Sequence, residues 1–334
     1  MDFGIFDHLD RNDLPPQDFY AARLKIVEAC ERAGFYCYHL AEHHFTPLGM
    51  APSPNVFLAA VAQRTHRLRF GPLVYALPLH HPLRLIEEIC MLDHLSGGRL
   101  DIGFGRGSSA IELALYGQDP AQAQEIYAES LDLILQGLTH KVLNFRGKRY
   151  SFSDLPMQFA PLQQPHPPLW YGVHSPDSAE RAARRGLNTV SLDPPDEIAV
   201  SAERYRAIWR HVHPDKALPK LGLGRFIVVA DSDDEALKIA RRAYPKWEAS
   251  FTHLFRAHGK SPTHPRPPDF DALATRGQGV AGSPATVAEF LSSQLATTGC
   301  NYVVGQFAFG DLSLDETLQS VAMFANEVMP VLRR

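Results

Sequence analysis

The sequence predicts a single α/β domain over residues 1–334, folded as a (β/α)8 barrel. Three observations lead there. Eight short apolar runs alternate with stretches of helical period. The runs are apolar throughout rather than at every second residue, the signature of parallel strands covered on both faces. The chain is longer than one average domain, yet βα barrels commonly run past about 250 residues as one unit. A doubly wound open sheet is the remaining alternative.

The elements follow in order. Asp2–Phe6 reads as the first strand, and Gln17–Ala33 as a helix that Gly34 stops. Phe35–Ala41 and Leu68–Tyr75 are the next strands, separated by a helix over Ser53–Thr65. Pro82–Leu95 is helical with Gly97-Gly98 behind it. Arg99–Gly103 is a short strand, and Ser108–Gln136 a helical region interrupted around Gly117–Pro120. After the fourth helix the period breaks. Val142–Phe145 and Arg149–Phe152 flank Arg146-Gly147-Lys148 as a hairpin-like insertion, closed by Pro161, Pro165, Pro167 and Pro168. Leu169–Val173 resumes the alternation, followed by the helix Asp177–Arg185 with Gly186 at its end. Asn188–Leu192 and Leu221–Ala230 are strands on either side of a helix near Asp196–His211. The helix Asp233–Phe255 runs into Ala257–Gly282, rich in Pro, Gly and His, which reads as a mobile lid. Pro284–Thr298, Tyr302–Phe307 and Leu314–Leu332 complete the pattern as helix, strand and helix.

Composition excludes several classes. Thirty-three Lys+Arg against 37 Asp+Glu give a net charge of −4, which argues against non-specific nucleic-acid binding and against a polybasic membrane anchor. No apolar run approaches the roughly 20 residues that span a bilayer. Met1-Asp2-Phe3-Gly4-Ile5-Phe6-Asp7 carries neither a basic region nor an apolar signal core, so a mature cytoplasmic chain is expected. Cys30, Cys37, Cys90 and Cys300 have no metal-type spacing and read as small buried hydrophobes. Sixteen histidines are the unusual feature.

In a βα barrel the active site sits at the C-terminal strand ends. That rule selects Glu42-His43-His44-Phe45, Leu79-His80-His81-Pro82, Gly103-Phe104-Gly105-Arg106-Gly107-Ser108-Ser109, His174-Ser175-Pro176-Asp177-Ser178, and Asp193. The histidine excess therefore collects on one rim. Gly103–Ser108 is no dinucleotide fingerprint, because the third glycine falls at Ser108, and no Gly-Lys-Ser/Thr follows to make a P-loop. It offers either a tight turn with a surface arginine or a backbone open to a flat or anionic ligand, with Arg106 beside it. Ser175-Pro176-Asp177 starts a helix in the ordinary way, and the same geometry presents donors to an anion.

Two chemistries compete for the histidines. Adjacent residues such as His43 and His44 point to opposite faces of a strand, so they chelate one ion poorly. Asp7-His8 lacks a His-x-His pair, and His211-Val212-His213 ends a helix before Pro214. A zinc hydrolase is thus the less economical reading. An imidazole acting as general base near neutrality is the simpler one.

Met1-Asp2-Phe3-Gly4-Ile5-Phe6, Gly34-Phe35, Glu42-His43-His44-Phe45-Thr46, His81-Pro82, Leu92-Asp93-x-x-Ser96-Gly97-Gly98-Arg99 and Arg106-Gly107 closely resemble the bacterial luciferase-like monooxygenases, in the order and spacing of the luciferase α subunit. The likeness is strong over about residues 1–120, weaker to about 193, and a pattern thereafter, including Phe324-Ala325-x-Glu327-Val328-Met329-Pro330. It implies a barrel that binds FMN at its C-terminal face, in a class that often forms homodimers or higher oligomers. In that class reduced FMN and O2 form a flavin hydroperoxide that oxygenates a small organic substrate.

The resemblance also assigns residues. His43 matches the catalytic histidine, preceded by Glu42 and followed by His44, with His81 as a further supporting neighbour. Arg106, next to Gly107, matches the arginine on the FMN phosphate, and Ser175 and Ser178 match hydroxyl positions there. Leu73-Val74 matches a cis peptide under the isoalloxazine ring. Gly105 stands where the luciferase has a reactive cysteine, His174 where it has a phosphate-side glutamate, and Asp193 where it has a tryptophan. These departures point away from light emission and long-chain aldehydes. Phe6, Phe45, Tyr75 and Phe104 would wall the flavin or, equally, serve as plain barrel core. Since no nucleotide-binding fold for NAD(P)H is evident, a separate NAD(P)H:flavin reductase is expected to supply FMNH2. The alternatives are hydride transfer with a bound flavin or deazaflavin, and a non-catalytic flavin-binding relative.

Overall fold

The computed structural model describes residues 1–333. Eight parallel strand positions form a ring. They are β1 (Asp2–Asp7), β2 (Cys37–Leu40), β3 (Arg69–Pro72) with β4 (Tyr75–Ala76), β5 (Ile102–Gly105), β8 (Leu169–Gly172), β9 (Asn188–Ser191), β10 (Leu221–Val229) and β12 (Tyr302–Gln306). The order of neighbours is β3-β2-β1-β12-β10-β9-β8-β5-β4. Its two ends are consecutive in the chain, joined by Leu73–Val74, and Phe70 of β3 bridges Leu100 at the foot of β5. The ring so comes round on itself, with β12 and β1 across from β5 and β8.

The insertion after the fourth helix is an antiparallel pair, β6 (Val142–Arg146) and β7 (Ser151–Pro156). The stretch read as a lid over Ala257–Gly282 is irregular over 258–269 and again only in the turn at 276–278. Phe270–Thr275 is helical, and Gly279–Gly282 forms β11, parallel to the C-terminal half of β10. That strand escapes a pattern reading because two glycines bracket only Val280 and Ala281. Gly279 is required by packing, since a Cβ there would stand 2.8 Å from Leu273 Cδ2 and 3.2 Å from Phe270 Cε2. The last helix is also broken, by a π turn over Phe324–Val328.

Strand alternation separates two cores. The larger lies between ring and helices. Inside the ring Phe6, Ala41, Leu73, Trp170, Val190, Tyr302 and Val304 pack together. Below them Trp170 donates to Asp101 at 2.6 Å, and the His39 and Tyr302 side chains meet at 2.9 Å. Gly4 is glycine because Tyr302 fills the space a Cβ would take. The same alternation carries upward from this core: His8 follows Phe6, His43 follows Ala41, and Gln306 follows Val304 on the inner face. Of these, His43 lines the cleft at the C-terminal end and His8 stacks on it.

Candidate functional site

Two groups of strand ends build the rim. On one side, β5 runs against the Leu73–Val74 peptide, which is cis. A Cβ on Gly105 would fall 2.4 Å from Val74 Cγ2, and one on Gly103 2.6 Å from the Pro72 carbonyl. Gly105 is therefore glycine because Val74 occupies the place of a larger side chain. Arg106 follows on an exposed turn, with Gly107 at φ +84°, and makes no hydrogen bond to any described residue. One strand away, Ser175 caps the helix Pro176–Arg185 in a reciprocal box with Ser178, and Gly186 ends it at φ +72°. Ser178 is turned back into the cap: its hydroxyl donates to the Ser175 carbonyl at 2.7 Å and accepts from the Ser175 N–H at 3.0 Å. Ser175 and the half-open helix end are thus better placed than Ser178 to meet an anion. His174 Nδ1 lies 3.0 Å from Asp193, whose carboxyl, despite its burial, is held below its ordinary value by His174 and Ser191. The His174 ring stacks on His264, 4.8 Å between centroids.

On the other side, His43 Nδ1 lies 3.2 Å from Glu112 Oε1. A carboxylate only accepts, so in the neutral imidazole this contact favours the tautomer with the proton on Nδ1 and Nε2 as acceptor. Glu112 sits in the first turn of the helix Ala110–Leu115, where Ser109 accepts its backbone N–H at 3.2 Å. The Ser109-x-x-Glu112 spacing is a capping signature that a sequence reading can find, although here the carboxylate reaches His43 instead of its own cap. His8 stacks on His43 with centroids 5.8 Å apart. Burial, then the neighbouring His43, holds His8 well below the ordinary histidine range.

Glu42 and His44 do not line this cleft. Glu42 is buried and bonded to His44 Nε2 at 3.0 Å, His80 Nε2 at 2.9 Å and the Ala76 N–H at 3.0 Å. Burial opposes its charge, but these donors win and bring the carboxyl down to about 2. His80 is raised correspondingly: burial lowers it, and the bond to Glu42 outweighs that. His44 Nδ1 and the Tyr116 hydroxyl meet at 3.0 Å. The histidine bonded to Glu42 is His80, while His81, expected as a supporting neighbour, is exposed beside Tyr150. None of the four aromatics that could wall a flavin lines the cleft, and three of them take the alternative place in the barrel core. Phe6 is inside the ring, Tyr75 and Phe104 pack outward in the main core, and Phe45 is exposed against Tyr116.

Between the two groups lies a cleft of about 590 Å³, including its open mouth. His43 and Glu112 stand on one wall, and His174, His264 and Arg266 on another. Phe251, Leu254 and Phe255, at helical spacing on Asp233–Ala257, supply an apolar side. The donor set suits a flat ligand with a phosphate: an unbonded guanidinium and a capped helix end on adjacent strands, beside a cleft with an apolar wall. Arg266 and His264 carry no local motif, and the one signal at Glu112 is its capping spacing from Ser109. Among the described residues no three His, Cys, Asp or Glu side chains converge as a metal-ligand set.

This barrel, with its histidine at the second strand end and arginine at the fourth, is a luciferase-like monooxygenase: the model of that family matches residues 1–301, and the chain belongs to it. Protein y4wF of Sinorhizobium fredii, itself uncharacterized, is 42% identical over 98% of this chain and 96% of its own. The oxygenating constituent of 3,6-diketocamphane monooxygenase from Pseudomonas putida, a type II Baeyer-Villiger monooxygenase solved in complex with FMN, superposes with a TM-score of 0.84 at 20% identity, covering 99% and 98% of the two chains. An F420-dependent secondary alcohol dehydrogenase, in complex with an F420-acetone adduct, superposes at 0.76 with 15% identity over 100% and 99%. Among the described residues no helix is long and apolar enough to cross a membrane.

Proposed function

We propose that this chain is the oxygenase component of a two-component system, taking reduced FMN from a separate NAD(P)H-dependent reductase and using O2 to oxygenate a small organic substrate in the cytoplasm. The observation that carries the reading is the His43–Glu112 pair, which presents Nε2 to a cleft whose other end has the chemistry of a phosphate site. Bound reduced FMN would supply the electrons that activate O2. The chain's own residues do the rest. Arg106 and the Ser175 cap hold the phosphate; Leu73, Val74, Gly105 and Gly107 shape the surface beneath the ring; His174 braces the phosphate end through Asp193. His43 Nε2 accepts or returns a proton at the reacting face while Glu112 keeps the ring in one tautomer and orientation. Phe251, Leu254 and Phe255 exclude water from that face.

Glu42, His44 and His80 position the second strand end from behind. The fold of the F420-dependent dehydrogenase favours one second reading, hydride transfer with a deazaflavin and no oxygen chemistry. Supplying photoreduced FMN and O2 with a substrate panel, and following product by mass, separates the two. Oxygen incorporated from 18O2 supports oxygenation; turnover only with reduced deazaflavin, without O2 uptake, overturns it. His43→Ala should lower oxygenation about 10²–10⁴-fold with FMN still bound.

A further inference from the structure

Arg266 is the one cleft residue whose charge the protein leaves unanswered. It lies on the irregular segment 258–269, directly before Pro267, whose carbonyl accepts from the buried Tyr244 hydroxyl at 3.1 Å. That anchor fixes the backbone and aims the side chain inward. Its guanidinium makes one hydrogen bond, from Nη1 to the Leu192 carbonyl at 3.3 Å. No carboxylate of the described residues stands within 4.0 Å of it; the nearby Asp193 is engaged by His174 and Ser191. Burial pulls its pKa down, and Asp193 offsets this only in part. A half-buried guanidinium with one hydrogen bond and no ion pair leaves most of its donor fork open to an anion in the cleft.

The flavin phosphate is the less suitable anion. Arg106 on β5 and the Ser175 cap on β8 already serve that end. Arg266 instead rests on the Leu192 carbonyl at the end of β9, one strand beyond the Ser175 cap. The same cleft carries Phe251 and Phe255, and Phe251 stacks on the buried Trp247 with centroids 5.4 Å apart and rings 6° from parallel. Planar apolar surface and a fork of free N–H donors are thus presented together, on the cleft that His43 faces.

We propose that Arg266 is the receptor for an anionic group of the substrate, and that the substrate class is planar organic carboxylates, the ring lying against Phe251 and Phe255 and the carboxylate on the guanidinium fork. The inference rests on the flavin occupying the β3–β5–β8 side of the cleft. A guanidinium matches a carboxylate in bidentate geometry, which a neutral amide cannot do.

The test is calorimetric titration of the full chain, with and without FMN, using benzoate, phenylacetate and cinnamate, each beside its neutral amide. At least one acid should bind about tenfold or more tighter than its amide, the usual scale of a charge-assisted contact. Arg266→Gln should abolish that preference and leave FMN affinity within about twofold, whereas Arg266→Lys should keep part of it. A wild-type chain that prefers no acid over its amide overturns the proposal. So does an Arg266→Gln chain that loses FMN as heavily as Arg106→Ala while binding riboflavin normally, since Arg266 would then serve the phosphate. If the wild type takes up no FMN, the oxygenase reading fails instead, and the acid-over-amide preference without FMN still decides this one.

Discussion

The two halves of the rim are built by different means. The half formed by β3, β5 and β8 is made largely of backbone: a cis peptide at Leu73–Val74, glycines at 103, 105 and 107, and a helix cap at Ser175. The half formed by β1, β2 and the helix Asp233–Ala257 is made of side chains from distant segments: His43, with His8 stacked on it, and Phe251 and Phe255 on the apolar wall, with Arg266 reaching the same cleft from beside the end of β9. Gln306, 1% exposed, ends β12 with neither amide atom partnered. A surface that must take one unchanging cofactor is well served by backbone, which local sequence dictates closely. A surface that must suit one substrate among many is set by side chains that can vary without disturbing the ring.

The first way to sharpen this contrast is His43→Ala, the largest effect, which should abolish chemistry on the variable half and spare FMN on the fixed half. Next comes Glu42, which belongs to neither surface and holds the second strand end from behind. Its folded pKa of about 2 lies below the ordinary 4.5. A depressed carboxylate contributes stability that is present above pH 4.5 and lost as pH falls towards 2, here about 3 kcal/mol by linkage. Glu42→Gln should therefore lower urea stability at pH 7 by roughly that amount, and flatten the loss of stability between pH 5 and pH 2. An unchanged acid limb would show that the His44–Glu42–His80 network carries no such energy.

Arg106→Ala probes the fixed half. It should weaken FMN about 10–100-fold, the scale of a lost charge-assisted pair, and riboflavin hardly at all. Equal losses for both ligands would remove Arg106 from the phosphate. Gly105 tests whether the backbone half is fixed by packing: Gly105→Ala should cost about 1–3 kcal/mol, because its Cβ meets Val74. Val74→Ala in the same chain should recover part of it, read as a non-additive pair in urea melts.

How much was legible follows the same division. The eight ring strands, the insertion hairpin, and the turns at Gly34, Gly107 and Gly186 are local events, and apolar runs and glycines announce them. β11 was hidden because it contributes two apolar residues between glycines, and only its neighbours β10 and Phe270–Thr275 make it a strand. His43 is distinguishable from His44 by strand alternation alone. His80 is not distinguishable from His81, since the choice depends on which ring reaches Glu42 across the fold. Arg266 has no local signature at all. Its meaning comes from the carboxylates that are missing around it, and no pattern of spacing records that.

Glu112 lies between the two cases and gives the subtlest test. Local sequence marks it as a capping residue, yet long-range geometry turns its carboxylate to His43 at 3.2 Å. If it serves only the helix, Glu112→Gln should be almost silent, because glutamine also satisfies a capping position. If it fixes the imidazole, the substitution matters in a specific way. A carboxylate accepts only and enforces Nδ1–H, whereas an amide offers a donor as readily as an acceptor and allows the opposite tautomer, with Nε2 protonated and unable to accept. The expected result is a fall in kcat of about tenfold, with FMN affinity and melting temperature unchanged. A drop in melting temperature that accounts for the lost activity would return Glu112 to the cap, and the pairing that sets the tautomer of His43 would have to be sought elsewhere on the β1–β2 side.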